Sequence, residues 1–218
     1  MKKLIIVLML VLIFVGGVDA RKKDLAGRVE SGVYIDEDYN FSLAIPDAWD
    51  YSIKKDKNPV RLVLVKKQYD VPLQFQHAPN YTTIPKVTVY VDTTSLSADQ
   101  FVDSMLAEGF KSKQKNNIFQ EFKSLFGNFQ LKKRSRMNAG EVPGVRISTQ
   151  LRYTLEVSRA GSESDLADVV SDFYGGSVFF AKKGNQIILI HLVCEWRYFD
   201  TIEKEFAELL NGLKFIEG

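Results

Sequence analysis

Hydrophobic and polar residues alternate with a period of two in several stretches of the chain, which is typical of β-strands with one buried face. In the segment VYIDEDYNFSLAIP, the pattern predicts two strands around an acidic turn at residues 36–40. Phe41, Leu43 and Ile45 fall on one face of the second strand. Further strands are predicted at residues 60–67, 86–92, 129–137, 143–157, on both sides of Gly184-Asn185, and at 213–216.

A helical period replaces the alternation after residue 96. Ser97 and Gln100 form a capping box, in which each side chain satisfies a free backbone N–H at the start of a helix. The apolar residues that follow are spaced to share one helical face: Phe101, Val102, Met105 and Leu106. The sequence therefore predicts a helix that begins after Ser97.

A second well-defined helix is predicted near the C-terminus. Asp200 is predicted to cap its start, with Glu203 at the third position, and Gly212 is suited to a left-handed C-cap. Its apolar stripe comprises Ile202, Phe206, Leu209 and Leu210. Two shorter helices are predicted at residues 114–126 and 165–173.

The order of these elements predicts the fold class. The predicted strands, most of them joined as hairpins, are interrupted by helices. Such an order is typical of an α+β protein, in which helices cover an antiparallel β-sheet.

The N-terminus has the pattern of a cleavable export signal. Lys2 and Lys3 precede an apolar run from Leu4 to Val15, and small residues follow. As a helix this run is only about 18 Å long, which is too short for a hydrocarbon core of about 30 Å. We therefore predict a signal peptide at 1–20, a flexible tether at 21–30 and a single domain at 31–218, with no transmembrane segment in the mature chain.

Composition excludes several functional classes. The formal net charge of +2 lacks the strong basic excess of nucleic-acid-binding domains. Cys194 is the only cysteine, so no disulfide can form within the chain, and burial is the default state of a free thiol. An exported location, periplasmic or extracellular, is expected from the signal peptide.

His191 and Cys194 are close enough in sequence to raise the question of a metal or thiol site. Both lie in the apolar run that follows the Gly184-Asn185 turn, and this run is predicted to be a strand. Residues an odd number of positions apart point to opposite faces of a strand. We therefore expect a buried thiol and a buried histidine that do not meet.

No other pattern indicates catalysis. The chain lacks G-x-S-x-G, H-E-x-x-H, phosphate-loop and C-x-x-C motifs. His77 lies in a proline-containing loop predicted at 68–85, without a carboxylate spacing that would support a metal site. We predict no catalytic residues, no metal site and no cofactor.

One dense basic stretch, LKKRSR at residues 131–136, is a candidate interaction surface. In a regular strand, Lys132, Arg134 and Arg136 would share one face. Three aligned cations can dock an acidic protein surface or lipid headgroups. The alternative is a solvent-exposed or guarded sheet edge, where Lys and Arg discourage aggregation.

Four segments resemble the PsbP-like family, which includes the extrinsic photosystem II protein of plants and a Ran-binding nuclear import factor. The segments are YNFSLAIPDAW, the hairpin arm NQIILIHLVCEW, the helix FDTIEKEFAELLNGL and the closing KFI. The resemblance implies an antiparallel sheet between helices, an α/β/α sandwich. It also implies a non-catalytic protein that acts by docking to partners.

We therefore expect an exported interaction module that binds another protein or a membrane-associated complex. An alternative is a carrier of a small ligand or lipid, with a pocket between sheet and helices. A hydrolase with a dispersed site is the third hypothesis. A deep apolar pocket would favour the carrier, and convergent carboxylates or a His–Asp pair in a cleft would favour the enzyme.

Overall fold

A computed structural model describes residues 25–69, 85–107, 129–157 and 168–217. The helices in this part of the chain are α1 (Ala98–Ala107) and α2 (Phe199–Asn211), and the 3-10 helix η1 (Trp196–Tyr198) directly precedes α2. The strands are β1 (Arg28–Glu30), β2 (Val33–Asp36), β3 (Phe41–Ala44), β4 (Trp49–Ile53), β5 (Val60–Lys66), β6 (Lys86–Thr93), β7 (Phe129–Ala139), β8 (Val142–Val157), β9 (Asp168–Lys183), β10 (Gln186–Glu195) and β11 (Leu213–Phe215).

Several predicted segments lie outside the described residues. These are the signal peptide at 1–20, the first part of the tether, most of the loop with His77, and the short helix at 114–126. The last part of the predicted tether is a strand instead, because Arg28–Glu30 forms β1 and pairs with β2.

The larger of two sheets has seven strands in the order β4-β5-β6-β10-β9-β8-β7. Every neighbouring pair in this sheet is antiparallel. The β9–β10 hairpin turns at Gly184-Asn185, as the sequence predicted, and the β7–β8 hairpin turns between Ala139 and Val142. Within the described residues, β7 and β4 are therefore its two edge strands.

A second, four-stranded sheet has the order β1-β2-β3-β11. It was not predicted as a separate sheet. Its last strand, β11, pairs antiparallel with β3, so that Leu213 lies opposite Leu43. The C-terminal strand thus completes a sheet built from the first strands of the described chain.

The two faces of the large sheet carry different layers. Alternate residues of β10, including Ile187 and Leu189, pack with Phe101 and Met105 of α1. The intervening residues pack in the other core cluster, which also contains α2 and the small sheet. The predicted α+β class, an antiparallel sheet between helices, is confirmed. Among the described residues, neither α1 nor α2 combines the length and the hydropathy of a membrane-spanning helix.

The start of α1 follows its local sequence signal. The Ser97 backbone N–H donates to Gln100 Oε1 at 2.9 Å, and the Gln100 N–H donates to Ser97 Oγ at 3.2 Å. These two bonds are the reciprocal pair of a capping box. The prediction from these two residues is confirmed.

The ends of α2 differ from the predicted caps. The helix begins at Phe199, directly after η1, and no side chain caps its first turn. Gly212 has φ −82° and ψ −2°, which is a right-handed conformation, and its N–H bonds to the carbonyls of Leu209 and Leu210. Both cap predictions, at Asp200 and at Gly212, were wrong, whereas the predicted stripe of Ile202, Phe206, Leu209 and Leu210 is buried.

The prediction of a helix at 165–173 was wrong for residues 168–173. From residue 168 the chain belongs to β9, and Val170 pairs with Leu155 of β8. The apolar spacing of the segment fits a helix, but pairing with the neighbouring long strand determines the backbone. Tertiary context overrides a short periodic pattern in this way.

Candidate functional site

His191 and Cys194 lie on opposite faces of β10. Cys194 belongs to the core cluster on the α2 side, together with Ile188, Ile190 and Leu192. His191, an odd number of residues away, points to the α1 side, and it lies opposite Thr88 of β6 and Val178 of β9. The imidazole and the thiol therefore do not form a shared site, as the sequence predicted.

Burial holds both groups in their neutral forms near pH 7. It lowers the pKa of His191 to about 3, with a smaller contribution from the positive charge of Lys86. It raises the pKa of Cys194 to about 12, with smaller contributions from the charges of Glu203 and Glu195. A protonated thiol is a poor nucleophile. The protonation of the two groups therefore leads to the same conclusion as their orientation: they do not form a thiol–histidine site.

The most deeply buried charged cluster joins β5 of the large sheet to β2 of the small sheet. Arg61 is 2% exposed and Asp36 is fully buried. Arg61 Nε donates to Asp36 Oδ2 at 2.7 Å, and its Nη2 donates to Asp36 Oδ1 at 3.1 Å. Such a two-point contact is the strongest geometry between an arginine and a carboxylate.

Further groups form hydrogen bonds with the two members of this ion pair. Tyr34 donates its hydroxyl to Asp36 Oδ2 at 2.9 Å, and the Tyr39 N–H donates to Asp36 Oδ1 at 3.2 Å. Arg61 Nη2 also donates to Asp38 Oδ2 at 2.6 Å, and this contact lowers the pKa of Asp38. Both carboxylate oxygens of Asp36 are thus engaged within the chain, so the cluster joins the sheets and presents no free reactive group.

The sequence interpretation missed this cluster. The sequence predicts an acidic turn at 36–40, but Asp36 belongs to β2 and its carboxylate is buried. The available signal was Arg61, which interrupts the apolar run VRLVLV. A charged residue in the middle of a buried strand needs a charged partner, because burial of an unpaired charge is very unfavourable.

Glu203 of α2 lies beside a serine hydroxyl, the kind of contact that a dispersed hydrolase site would need. Ser148 donates its hydroxyl to Glu203 Oε1 at 2.9 Å. Arg146 Nη2 also lies 2.9 Å from this oxygen, and Arg146 Nε donates to Ser177 Oγ at 2.9 Å. The arginine therefore neutralises the carboxylate that would have to act as a base.

No group of three or more His, Cys, Asp or Glu side chains that could hold a metal ion occurs in the described part of the chain. The polar clusters above are internal to the fold. The basic stretch of β7, in contrast, is exposed at the surface.

β7 is an edge strand of the large sheet, paired on one side with β8 in the described structure. Its exposed residues comprise Gln130, Leu131, Lys132, Lys133, Arg134, Arg136 and Asn138. Leu131 is among the few large apolar residues of the described chain that are exposed, at 41%. An edge of this kind has outward-pointing backbone groups that no neighbouring strand satisfies.

The predicted alignment of three cations breaks at Lys132. The pairing of β7 with β8 shifts between Leu131 and Lys133, which places a bulge at Lys132. Lys132 Nζ donates to Gln130 Oε1 at 2.7 Å. Arg134 and Arg136 are instead turned toward α1, so the structure keeps the two arginines together and separates Lys132 from them.

Both arginines contact acidic residues of α1 that the sequence analysis did not connect with them. Arg134 Nη2 donates to Asp99 Oδ1 at 3.0 Å, and its Nη1 donates to Asp103. Arg136 Nε donates to Asp99 Oδ2 at 2.9 Å. Asp99 and Asp103 are four residues apart and therefore share a helical face, a spacing that could have suggested an arginine pair opposite them.

A surface groove of about 350 Å³ lies beside Arg136. Its lining comes from the start of α1 and from the β7–β8 hairpin: Ala98, Asp99, Arg136, Met137, Asn138, Pro143, Gly144 and Val145. The side chain of Arg136 is 82% exposed. The cationic edge and the groove thus form one continuous surface, which we call the β7 surface.

No protein-family model matches the chain, and no curated protein matches it. Among solved structures, it is similar to cyanobacterial PsbP (CyanoP) from Synechocystis, with 12% identity, coverage of 87% of this chain and 96% of that chain, and a TM-score of 0.49.

Two further similar structures are LpqN, involved in cell envelope biogenesis of Mycobacterium tuberculosis, and the Ran-binding protein Mog1p of Saccharomyces cerevisiae. LpqN is 9% identical, with 88% of this chain and 90% of that chain covered and a TM-score of 0.49. Mog1p is 9% identical, with 87% and 97% covered and a TM-score of 0.47. These similarities agree with the PsbP-like fold that the sequence resemblance implied. They give no information about function.

Proposed function

We propose that this chain is an exported, non-catalytic interaction module that binds a protein of an extracytoplasmic or membrane-associated assembly through the β7 surface. The observation that carries the proposal is the cationic edge strand, in which Lys132, Lys133 and Arg136 are exposed and Arg136 lines a groove. The exposed charge of such an edge attracts a partner of opposite charge, and the backbone groups of the edge strand can form hydrogen bonds with it.

The internal ion pairs leave part of this charge available. Asp99 contacts both arginines and Asp103 contacts Arg134, but Lys132 and Lys133 have no carboxylate contact among the described residues. The edge therefore keeps a positive excess that fits an acidic surface. The same lysines also discourage aggregation of the edge, and this protective function is the alternative that an experiment must distinguish.

The geometry favours docking over the carrier hypothesis. A carrier needs an apolar pocket between sheet and helices. In the described structure, both spaces between the large sheet and its covering layers are filled by packed side chains, such as Phe101 and Phe180 on the α1 side and Phe206 on the α2 side. The groove beside Arg136 is at the surface.

The proposal is tested by capture from the native envelope with three forms of the tagged mature protein. These are the wild type, a β7 variant with Lys132→Glu, Arg134→Glu and Arg136→Glu, and a control with the exposed Lys57→Glu, Lys204→Glu and Lys214→Glu. The wild type and the control should recover the same proteins in similar amounts. The β7 variant should recover about tenfold less of them, because charge reversal at a contact costs more than about 1 kcal/mol.

A separate variant guards against a folding artefact. Reversal of Arg134 and Arg136 removes their contacts with α1, whereas Lys132→Glu with Lys133→Glu leaves those contacts in place. Circular dichroism and thermal melting establish that each variant is folded. Equal recovery of the same proteins by all folded variants would exclude the β7 surface and the proposed function with it.

A further inference from the structure

Among the described residues, the C-terminal part of β7 pairs regularly on one side and has no strand on the other. From Lys133 to Ala139 its pairing with β8 runs without a shift, from Ser148 to Val142. In an antiparallel sheet, every second residue of an edge strand directs its N–H and C=O away from its single neighbour. These residues are therefore a template on which another extended chain can pair.

The two arginines are on the same face of this template. Arg134 lies opposite Ile147 and Arg136 opposite Val145, and both of these β8 residues pack in the core on the α1 side. A strand added beside β7 would place two of its residues, spaced two apart, next to these arginines. The spacing of the arginines thus specifies the spacing of the complementary groups.

Arg136 is better placed than Arg134 to bind an external carboxylate. Arg134 uses both of its terminal nitrogens in contacts with Asp99 and Asp103. Arg136 contacts Asp99 only through Nε, and no other contact of its guanidinium with described residues is seen. Its exposed terminal nitrogens can therefore form a two-point contact with a carboxylate from solution.

A second copy of the chain does not fit this edge. Antiparallel pairing of β7 with another β7 would bring Lys132, Lys133, Arg134 and Arg136 of one copy against the same residues of the other. Like charges opposite each other in neighbouring strands are destabilising. The charge of the edge favours an acidic occupant.

From these observations we infer that the partner contributes an extended acidic segment that pairs with β7 as an additional antiparallel strand. Its signature is Glu-x-Glu or Asp-x-Asp, with one carboxylate at Arg136 and the second near Arg134. An apolar residue two positions before the first carboxylate would lie opposite Asn138, at the mouth of the groove. This inference rests on the proposed function, because it specifies the partner chemistry of the same surface.

The test uses three synthetic peptides with acetylated and amidated ends. The peptide TVTETET has the predicted spacing, TVTTEET has the same composition with adjacent glutamates, and the third carries N-methyl groups on alternate backbone amides of TVTETET. Affinity is measured by fluorescence anisotropy, and the binding position by backbone amide NMR shifts.

The first peptide should bind saturably and shift the amides of residues 133–138. The other two should bind at least about tenfold more weakly, because one places its glutamates on opposite faces and the other lacks strand hydrogen bonds. Equal affinity of all three peptides would show attraction by charge alone and would overturn the inference. Absence of saturable binding by TVTETET would overturn it as well.

Variants of the protein complete the test. Arg136→Gln should weaken TVTETET binding about tenfold, whereas Lys57→Gln, an exposed residue outside β7, should leave it unchanged. Asp99→Asn should strengthen binding, because it removes the internal carboxylate that competes for both arginines. A weaker affinity in folded Asp99→Asn protein would contradict this competition and the inference.

The peptide experiment and the capture experiment distinguish failure of this inference from failure of the proposed function. If the peptides do not bind but capture from the envelope still depends on the β7 variant, the surface docks a partner by another mode. If capture does not depend on the β7 variant, the function itself fails, whatever the peptides do.

Discussion

His191 lies in the middle of the large sheet and is 2% exposed. Burial, together with a smaller contribution from the positive charge of Lys86, lowers its pKa to about 3. In the unfolded chain a histidine has a pKa of about 6.5. Between these two values the unfolded chain binds a proton that the folded protein excludes, so the contribution of His191 to stability is complete above about pH 6.5 and is lost as the pH falls toward 3.

The expected result is a specific acid sensitivity. Between pH 7 and pH 5, the free energy of unfolding of the wild type should fall by about 2 kcal/mol more than that of His191→Asn, because the variant has no imidazole to protonate. Urea unfolding at the two pH values measures both differences. Parallel pH dependence of wild type and variant would show that His191 keeps an ordinary pKa in the folded state.

At the scale of the element, α2 is held at its end by close contact with β3. A Cβ atom built on Gly212 would lie 2.6 Å from Ala44 Cβ and 3.1 Å from the Ala44 backbone nitrogen. The backbone of Gly212 is right-handed, a conformation that alanine adopts readily. The glycine is therefore needed because of space rather than backbone conformation.

This distinction leads to a prediction for Gly212→Ala. We expect the free energy of unfolding to fall by about 1–3 kcal/mol, the usual cost of overpacking a tight contact. Ala44→Gly in the same chain should restore part of the loss, because it removes the Cβ at the closest contact. Denaturant unfolding of the two single variants and the double variant measures the coupling, and strictly additive losses would contradict the proposed contact.

At the scale of the whole molecule, a buried ion pair connects the two sheets. Arg61 belongs to the large sheet and Asp36 to the small sheet, and their side chains are almost completely buried. Removal of one partner leaves the other as an uncompensated buried charge. Such a loss destabilises proteins more strongly than the loss of a surface ion pair.

We expect Arg61→Met to lower the free energy of unfolding by about 3–5 kcal/mol. The double variant Arg61→Met with Asp36→Asn should lose less than the sum of the two single variants, because no buried charge remains unpaired. As a surface control, Arg28→Met removes the exposed ion pairs of Arg28 with Glu30 and Glu37 and should destabilise the protein far less than Arg61→Met, because solvent screens exposed charges. Similar losses in Arg28→Met and Arg61→Met would refute a special contribution of the buried pair.

The sequence by itself determined the features that depend on neighbouring residues. The capping box of Ser97 and Gln100 joins groups three residues apart, and Gly184-Asn185 sets a tight turn between two strands. The opposite orientation of His191 and Cys194 follows from the pleat of a strand. These features need no knowledge of distant contacts, because local geometry fixes them once the element is identified.

The tertiary structure alone decided the features that join distant parts of the chain. The pairing of β11 with β3, the burial of Asp36 beside Arg61, and the bulge at Lys132 are not encoded in any short pattern. The contacts of Arg134 and Arg136 with Asp99 likewise depend on the packing of α1 on the sheet. Side-chain alternation records which face a residue occupies, but the neighbour it meets depends on how the layers pack, and that is determined by the free energy of the whole fold.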